Sequence, residues 1–230
     1  SGLSWKSALA IAVFGSALLG IRIGGDVRVL TYHETIFAEP AREMLATGRW
    51  LLPRFAGEPS THKPPLTHWL IAASMAVTGS RAEWVARAPI VAATVATALL
   101  IALLAGRWYG NRAGLAAGLV QLGNFYVLMQ ARLAEADMVL CLTVAGAMVA
   151  FAWACVDSGD RPRARRWRRR LGLQPLQLAF WACLGLAFMT KFVIGPVFIL
   201  GGCGLYILLA RDWRALRWLI SPAGWALAAT

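Results

Sequence analysis

The chain has 230 residues, 59% of them hydrophobic, with a mean hydropathy of +0.59. Apolar windows of about 20 residues, each long enough to cross a bilayer as helix, exclude a soluble globular protein, and the lack of short alternating segments excludes a transmembrane β-barrel. The net charge of +12 comes from 23 Lys and Arg against 11 Asp and Glu, and the arginines sit in short connections between spans, so the charge reads as a topology signal and excludes nucleic acid as a partner.

The sequence predicts an all-α, polytopic transmembrane protein. A first span runs from Ser7 to Gly24 and reads as an anchor, because no small-residue cleavage site follows it. An outer loop covering 25–83 comes next. Within it, Glu34 to Thr47 predicts an amphipathic helix, with Phe37, Met44 and Leu45 apolar and Glu39, Arg42 and Glu43 polar. Gly48 marks its end. Pro64-Pro65 opens a second short helix, Leu66 to Val77, placed at the membrane interface where Trp69 is favoured. Further spans are expected at Trp84–Ala105, Ala113–Gln130, Met138–Val156, Leu176–Thr190 and Phe192–Ala210. A seventh begins near Trp218 and is still apolar at Thr230. Residues 1–230 therefore read as the N-terminal transmembrane part of a longer protein, with the C-terminal remainder absent. Cys141, Cys155, Cys183 and Cys203 lie in apolar spans without paired spacing, so they read as small hydrophobes.

Charge in the connections sets an orientation. Lys6, the Arg107/Arg112 turn, the run of arginines from Arg161 to Arg170, and Arg211, Arg214 and Arg217 all fall on one side. The positive-inside rule makes that side cytoplasmic, with the N-terminus. The loop at 25–83, the Arg132–Asp137 turn and the Lys191 turn then share the opposite, outer face. Ionisable groups are costly near lipid. The segment from Tyr32 to Pro65, with Glu34, His62 and Lys63, is thus where chemistry is expected.

Several motifs carry a family resemblance. They are Glu34-Thr-Ile-Phe-Ala-Glu-Pro-Ala-Arg-Glu-Met-Leu, Gly48-Arg-Trp-Leu-Leu-Pro-Arg, Gly57-Glu-Pro and Lys63-Pro-Pro-Leu-Thr-His-Trp-Leu. Glu83-Trp-Val-Ala-Arg-Ala-Pro, Gly106-Arg-Trp-Tyr-Gly-Asn-Arg, Arg132-Leu-Ala-Glu-Ala-Asp-Met and Leu186-Ala-Phe-Met-Thr-Lys follow in order. Together they resemble the polyprenyl-phosphate-sugar-dependent GT-C glycosyltransferases, which include the aminoarabinose transferases and the protein O-mannosyltransferases. The resemblance implies a GT-C-like fold with interfacial helices in the first outer loop. It implies a transferase of the cell envelope, in the bacterial inner membrane, with its site on the periplasmic face. There a hexosyl or pentosyl group would move from a polyprenyl-phosphate donor to a lipid, glycan or protein acceptor.

The sequence departs from the family at two positions. His33-Glu34 stands where an Asp-Glu pair is usual, and His62 stands where an acid usually precedes Lys-Pro-Pro. Glu34 and His33 both remain candidates for the base that takes the acceptor proton. Glu34 also suits the start of a helix, where the dipole favours an acid. Lys63 is the candidate cation for the leaving phosphate, with His62 beside it and Arg132 and Lys191 adding charge on the same face. Asp137 corresponds to the family's acid in the second outer loop and is expected at the substrate. A divalent metal held by His33 and His62 with Glu34 stays open as a cofactor. Two readings compete with the enzyme. A lipid or glycan transporter or flippase would place charges along a path inside the spans, which hold almost none. A non-catalytic scaffold would account for the two histidine replacements.

Overall fold

The computed structural model describes residues 2–21, 23–24, 30–55, 57–59, 63–156 and 175–220. It contains ten α-helices among those residues and one two-stranded ribbon. The chain divides into two compact units, Ser1–Leu142 with Met189–Lys191, and Thr143–Phe188 with Phe192–Thr230.

The first unit opens with α1 (Trp5–Gly20), whose Ser4 cap accepts from the Ser7 amide. The Ser4 amide donates to Asn111 Oδ1 at 2.7 Å, tying this start to a helix more than a hundred residues later. The loop helices follow as α2 (Tyr32–Thr47) and α3 (Leu66–Thr78), each ending on a glycine with positive φ, Gly48 at 71° and Gly79 at 65°. Between them a short ribbon pairs β1 (Arg54–Phe55) with β2 (Glu58–Pro59). Trp69 Nε1 donates to the Trp50 carbonyl at 2.7 Å and fastens that segment to α3. Helix α2 buries Phe37, Ala38, Ala41 and Met44 against Ile71, Ala72 and Met75 of α3, the apolar stripe that its sequence pattern predicts.

Helix α4 (Glu83–Tyr109) has 27 residues, about 40 Å at 1.5 Å per residue, and is long and apolar enough to cross a membrane. It turns at Gly110 into α5 (Asn111–Gly123). A Cβ on Gly114 would meet the Ala102 carbonyl at 2.6 Å, and one on Gly118 would meet Ile11 Cδ1 at 2.6 Å. Glycines four apart thus let α1, α4 and α5 pack close to backbone contact, which is how helices associate where lipid removes the hydrophobic driving force. The span expected as one helix over 113–130 is instead broken. Asn124 leaves helical geometry and its Oδ1 accepts from Tyr126 and Val127, capping a separate α6 (Phe125–Gln130). Local capping by Asn competes with helix continuation.

Both prolines inside helices leave a carbonyl without its usual partner four residues back. Pro89 of α4 frees the Val85 carbonyl, and Ser74 Oγ of α3 donates to it at 2.8 Å. Pro40 of α2 frees the Ile36 carbonyl, which faces the imidazole of His68. Helix α3 therefore fills the gap in α4 and sets His68 beside the one in α2.

Helix α7 (Asp137–Phe151) continues into a π-turn (Ala152–Val156). In the second unit, α8 (Pro175–Lys191) and α9 (Ile194–Ala210) form a hairpin through Phe192, which takes a φ of 47°. A Cβ on Gly195 would lie 2.7 Å from Ala187 Cβ, so the hairpin is closed tightly at that end. The segment Arg211–Arg217, expected as a plain turn, contains a further helix, α10 (Trp213–Leu219). Phe151, Phe180, Tyr206 and Trp218 make an aromatic core there, with the Phe180 and Trp218 rings 5.5 Å apart. The arginines between 161 and 170, and the continuation of the seventh span beyond Leu219 to Thr230, lie outside the described residues.

Candidate active site

Glu34 is the third residue of α2 and forms a capping box with Thr31, a local pattern that fixes the helix start from the sequence itself. Its carboxylate then reaches into the first unit. Oε1 accepts from Arg87 Nε at 2.7 Å and from the Ala134 amide at 3.0 Å. Oε2 accepts from Arg87 Nη2 at 3.0 Å and from the Thr31 amide at 2.9 Å. Arg87 completes its set by donating to the Ile23 carbonyl at 2.9 Å. The two side chains are 0% and 3% exposed. Burial alone would push the Glu34 carboxyl up, but the hydrogen bonds from Arg87, Thr31 and Ala134 outweigh it and hold the pKa below the usual carboxylate value.

Glu34, one of the two candidates for the base, is fully occupied in this geometry. A carboxylate has about four lone-pair sites, and all four are taken here by protein donors. The same count removes Glu34 from any metal site with His33 and His62. His62 lies outside the described residues, and among those described no group of three or more His, Cys, Asp and Glu is placed to hold a metal ion.

The 131–136 turn supplies the rest. Arg132 Nη2 donates to the Leu18 carbonyl at 2.8 Å, so it braces the turn against α1. Asp137 opens α7, and Lys191 Nζ at the end of α8 donates to its Oδ1 at 2.7 Å. This pair is only partly exposed, at 25% and 21%. Between these groups sits Glu135. Its carboxyl is pushed up by burial and by the like charges of Asp137 and Glu34, while His33 and Lys191 pull the other way. Glu135 is therefore within electrostatic reach of His33, Glu34, Asp137 and Lys191. His33 is exposed on the first turn of α2. Lys63 is half-buried just before α3 and makes no hydrogen bond or ion pair among the described residues.

Two residues of this cluster, Arg87 and Glu135, were missed as site residues in the sequence, although both stand inside motifs quoted for the resemblance. The spacing Glu135-Ala136-Asp137 was the available signal for the second: paired acids before an apolar run.

The fold is that of the GT-C membrane glycosyltransferases. The crystal structure of ArnT from Cupriavidus metallidurans bound to undecaprenyl phosphate matches 96% of this chain with a TM-score of 0.81 at 24% identity, over 39% of that protein. The archaeal oligosaccharyltransferase AglB from Archaeoglobus fulgidus shares the fold, with a TM-score of 0.66 at 17% identity over 98% of this chain and 29% of that one. The family model for dolichyl-phosphate-mannose-protein mannosyltransferase matches residues 62–230, and the chain belongs to that family. Among its curated relatives is the undecaprenyl phosphate-α-4-amino-4-deoxy-L-arabinose arabinosyl transferase of Pseudomonas savastanoi pv. phaseolicola, 35% identical over 69% of this chain and 28% of that protein. Arabinosyl transferase 2 of Sodalis glossinidius is 31% identical over 84% of this chain and 31% of its own length. The chain therefore spans under a third of these two relatives.

Proposed function

We propose that the chain is the donor-handling membrane part of a glycosyltransferase that moves a hexosyl or pentosyl group from a polyprenyl-phosphate carrier to a lipid, glycan or protein acceptor. The observation that carries this reading is Glu135 within electrostatic reach of His33, Glu34, Asp137 and Lys191, with Glu34 held by Arg87 and Lys191 by Asp137. The fold match to a protein solved with undecaprenyl phosphate, and relatives named for that donor, support the donor class. Arginine in the short connections supports a site on the periplasmic face of a bacterial inner membrane, with the N-terminus cytoplasmic.

In the reaction the bond between the sugar's anomeric carbon and the phosphate oxygen breaks, and a bond to the acceptor oxygen forms. Lys63 offsets the charge on the departing lipid phosphate, and Lys191, oriented by Asp137, adds to it. The acceptor's proton passes to the Glu135 carboxylate, with His33 beside it. A carboxyl held above its ordinary pKa is the stronger base once ionised, and general-base help is worth about 10²–10⁴-fold in rate. Glu34 touches no reactant; it holds the first turn of α2 against the 131–136 turn, so that His33 and Glu135 stay together.

The test uses the full-length protein in liposomes with a panel of polyprenyl-phosphate sugars and candidate acceptors. Release of polyprenyl phosphate by the wild type, lost in Lys63→Ala, is expected. A donor turned over equally by both proteins would overturn the role of Lys63, and transmembrane movement of a donor without its cleavage would favour transport.

A further inference from the structure

A cavity of about 760 Å³ opens in the second unit at the C-terminal end of α9, far along the chain from the residues assigned to transfer. Helix α9 has 17 residues, about 25 Å at 1.5 Å per residue, close to the roughly 30 Å of a bilayer's hydrocarbon core. Its ends therefore lie near the two headgroup levels. Arg211, Arg214 and Arg217 all line the cavity, together with Tyr206, Trp213 and Trp218. None of the three arginines has an ion-pair or side-chain hydrogen-bond partner among the described residues. Asp212 is the one acid among the described lining residues, and its carboxylate accepts from the Arg214 and Ala215 amides at 3.0 and 3.2 Å and caps α10.

Three arginines thus line one cavity with a single acid, Asp212, among the described residues, which leaves an excess of positive charge. Arginine matches phosphate geometry with paired donors, and Trp213, 62% exposed, is the side chain that favours headgroup depth. A second cavity of similar volume, lined by Glu39, Arg42, Glu43 and Arg81, differs in its charge balance. There Arg42 pairs with Glu39, and Glu43 pairs with Arg54.

We propose that the cavity beside Arg211, Arg214 and Arg217 binds the phosphodiester headgroup of an anionic phospholipid, from the leaflet where the arginine-rich connections lie. Basic pockets between helix ends on that side recognise such headgroups. The lipid would neutralise the three arginines and brace the α9–α10 corner. Donor transfer is not needed for this binding, so either reading can fail alone.

Native mass spectrometry of the full-length protein tests it, with phosphatidylglycerol, phosphatidylethanolamine, polyprenyl phosphate and inorganic phosphate added separately. Phosphatidylglycerol adducts are expected in preference to the other three. They should fall about tenfold in the triple variant Arg211→Gln, Arg214→Gln, Arg217→Gln and remain in Lys63→Ala. Unchanged adducts in the triple variant, or equal retention of phosphatidylethanolamine, would overturn the proposal. Preference for polyprenyl phosphate or inorganic phosphate would overturn the phospholipid as occupant. Should the triple variant fail to fold, single Arg214→Gln and the charge-keeping triple Lys variant decide the matter. The first must weaken binding severalfold and the second must keep it; the reverse contradicts the site.

Discussion

Glu34 and Arg87 stand 53 residues apart and meet through two hydrogen bonds of 2.7 and 3.0 Å, both side chains withdrawn from solvent. A third and a fourth donor, the amides of Thr31 and Ala134, converge on the same carboxylate. One acid thus joins the start of α2, the first turns of α4 and the turn before α7. Breaking a buried pair strands the remaining charge, which costs about 3–5 kcal/mol. Glu34→Ala and Arg87→Ala are each expected to lower the melting temperature of the purified protein strongly. Replacing both by apolar residues of similar size should recover part of the loss, measured by thermal unfolding in one detergent.

The same carboxylate predicts a pH dependence. Its folded pKa lies below its unfolded value, so its contribution is complete above the ordinary carboxylate pKa and is lost as pH falls through the folded one. His68 acts at higher pH. Buried against Phe37, with ring centres 5.3 Å apart, it is desolvated and its pKa falls from 6.5 to about 4, despite the Ile36 and Pro64 carbonyls that favour the charged ring. The unfolded chain gains a proton there before the folded chain does, so stability declines from pH 6.5 towards 4. His68→Phe should flatten the stability curve in that window and leave the decline below it, which Glu34→Gln should flatten instead.

Glu135 should control the acid limb of the rate. A base must be ionised, and burial with Asp137 and Glu34 nearby holds this carboxyl above its ordinary value. The profile of kcat/KM against pH is expected to rise at higher pH than a solvent-exposed glutamate would give. Asp137→Asn removes a like charge and frees Lys191, and both changes move the limb to lower pH. An unmoved limb in that variant would remove Glu135 from the proton's path.

The Asp137–Lys191 pair separates activity from stability. It is partly exposed, and pairs of that kind contribute about 0–1 kcal/mol. Lys191→Ala should leave the melting temperature within a degree or two, whereas kcat should drop about tenfold or more. A large stability loss with unchanged turnover would make the pair structural.

Helix packing gives a test independent of catalysis. At Gly114 an added Cβ meets backbone of α4, the Ala102 carbonyl at 2.6 Å and Gly106 Cα at 2.8 Å. At Gly118 it meets the flexible end of Ile11. Gly114→Ala should therefore cost about 1–3 kcal/mol by overpacking, and Gly118→Ala less, as read from unfolding in detergent.

The loop helices were legible because their signals are local. The apolar stripe Phe37–Met44 and the stop at Gly48 need no partner to be recognised, whereas the Thr31–Glu34 capping box went unread and the helix begins at Tyr32, two residues before the expected Glu34. The break at Asn124 was missed because an apolar window averages over one capping residue. At the site, Lys63 and Asp137 drew notice through the motifs of the family resemblance. The partner of Glu34 did not, since 53 residues separate it from Arg87 and only folding reveals that the acid is fully occupied. A helix-start acid and a reactive acid look identical in sequence; hydrogen-bond saturation distinguishes them.

The most direct measurement compares Glu34→Gln with Glu135→Gln in the full-length protein, recording polyprenyl-phosphate release and melting temperature on the same samples. Glu34→Gln is expected to melt much lower yet, at temperatures where it stays folded, to keep a measurable rate, its acid limb moved to lower pH because a like charge beside Glu135 is gone. Glu135→Gln is expected to keep its melting temperature and lose about 10²-fold or more of the rate. The opposite pattern, a stable but inactive Glu34→Gln and an active Glu135→Gln, would contradict the division of roles between the two acids.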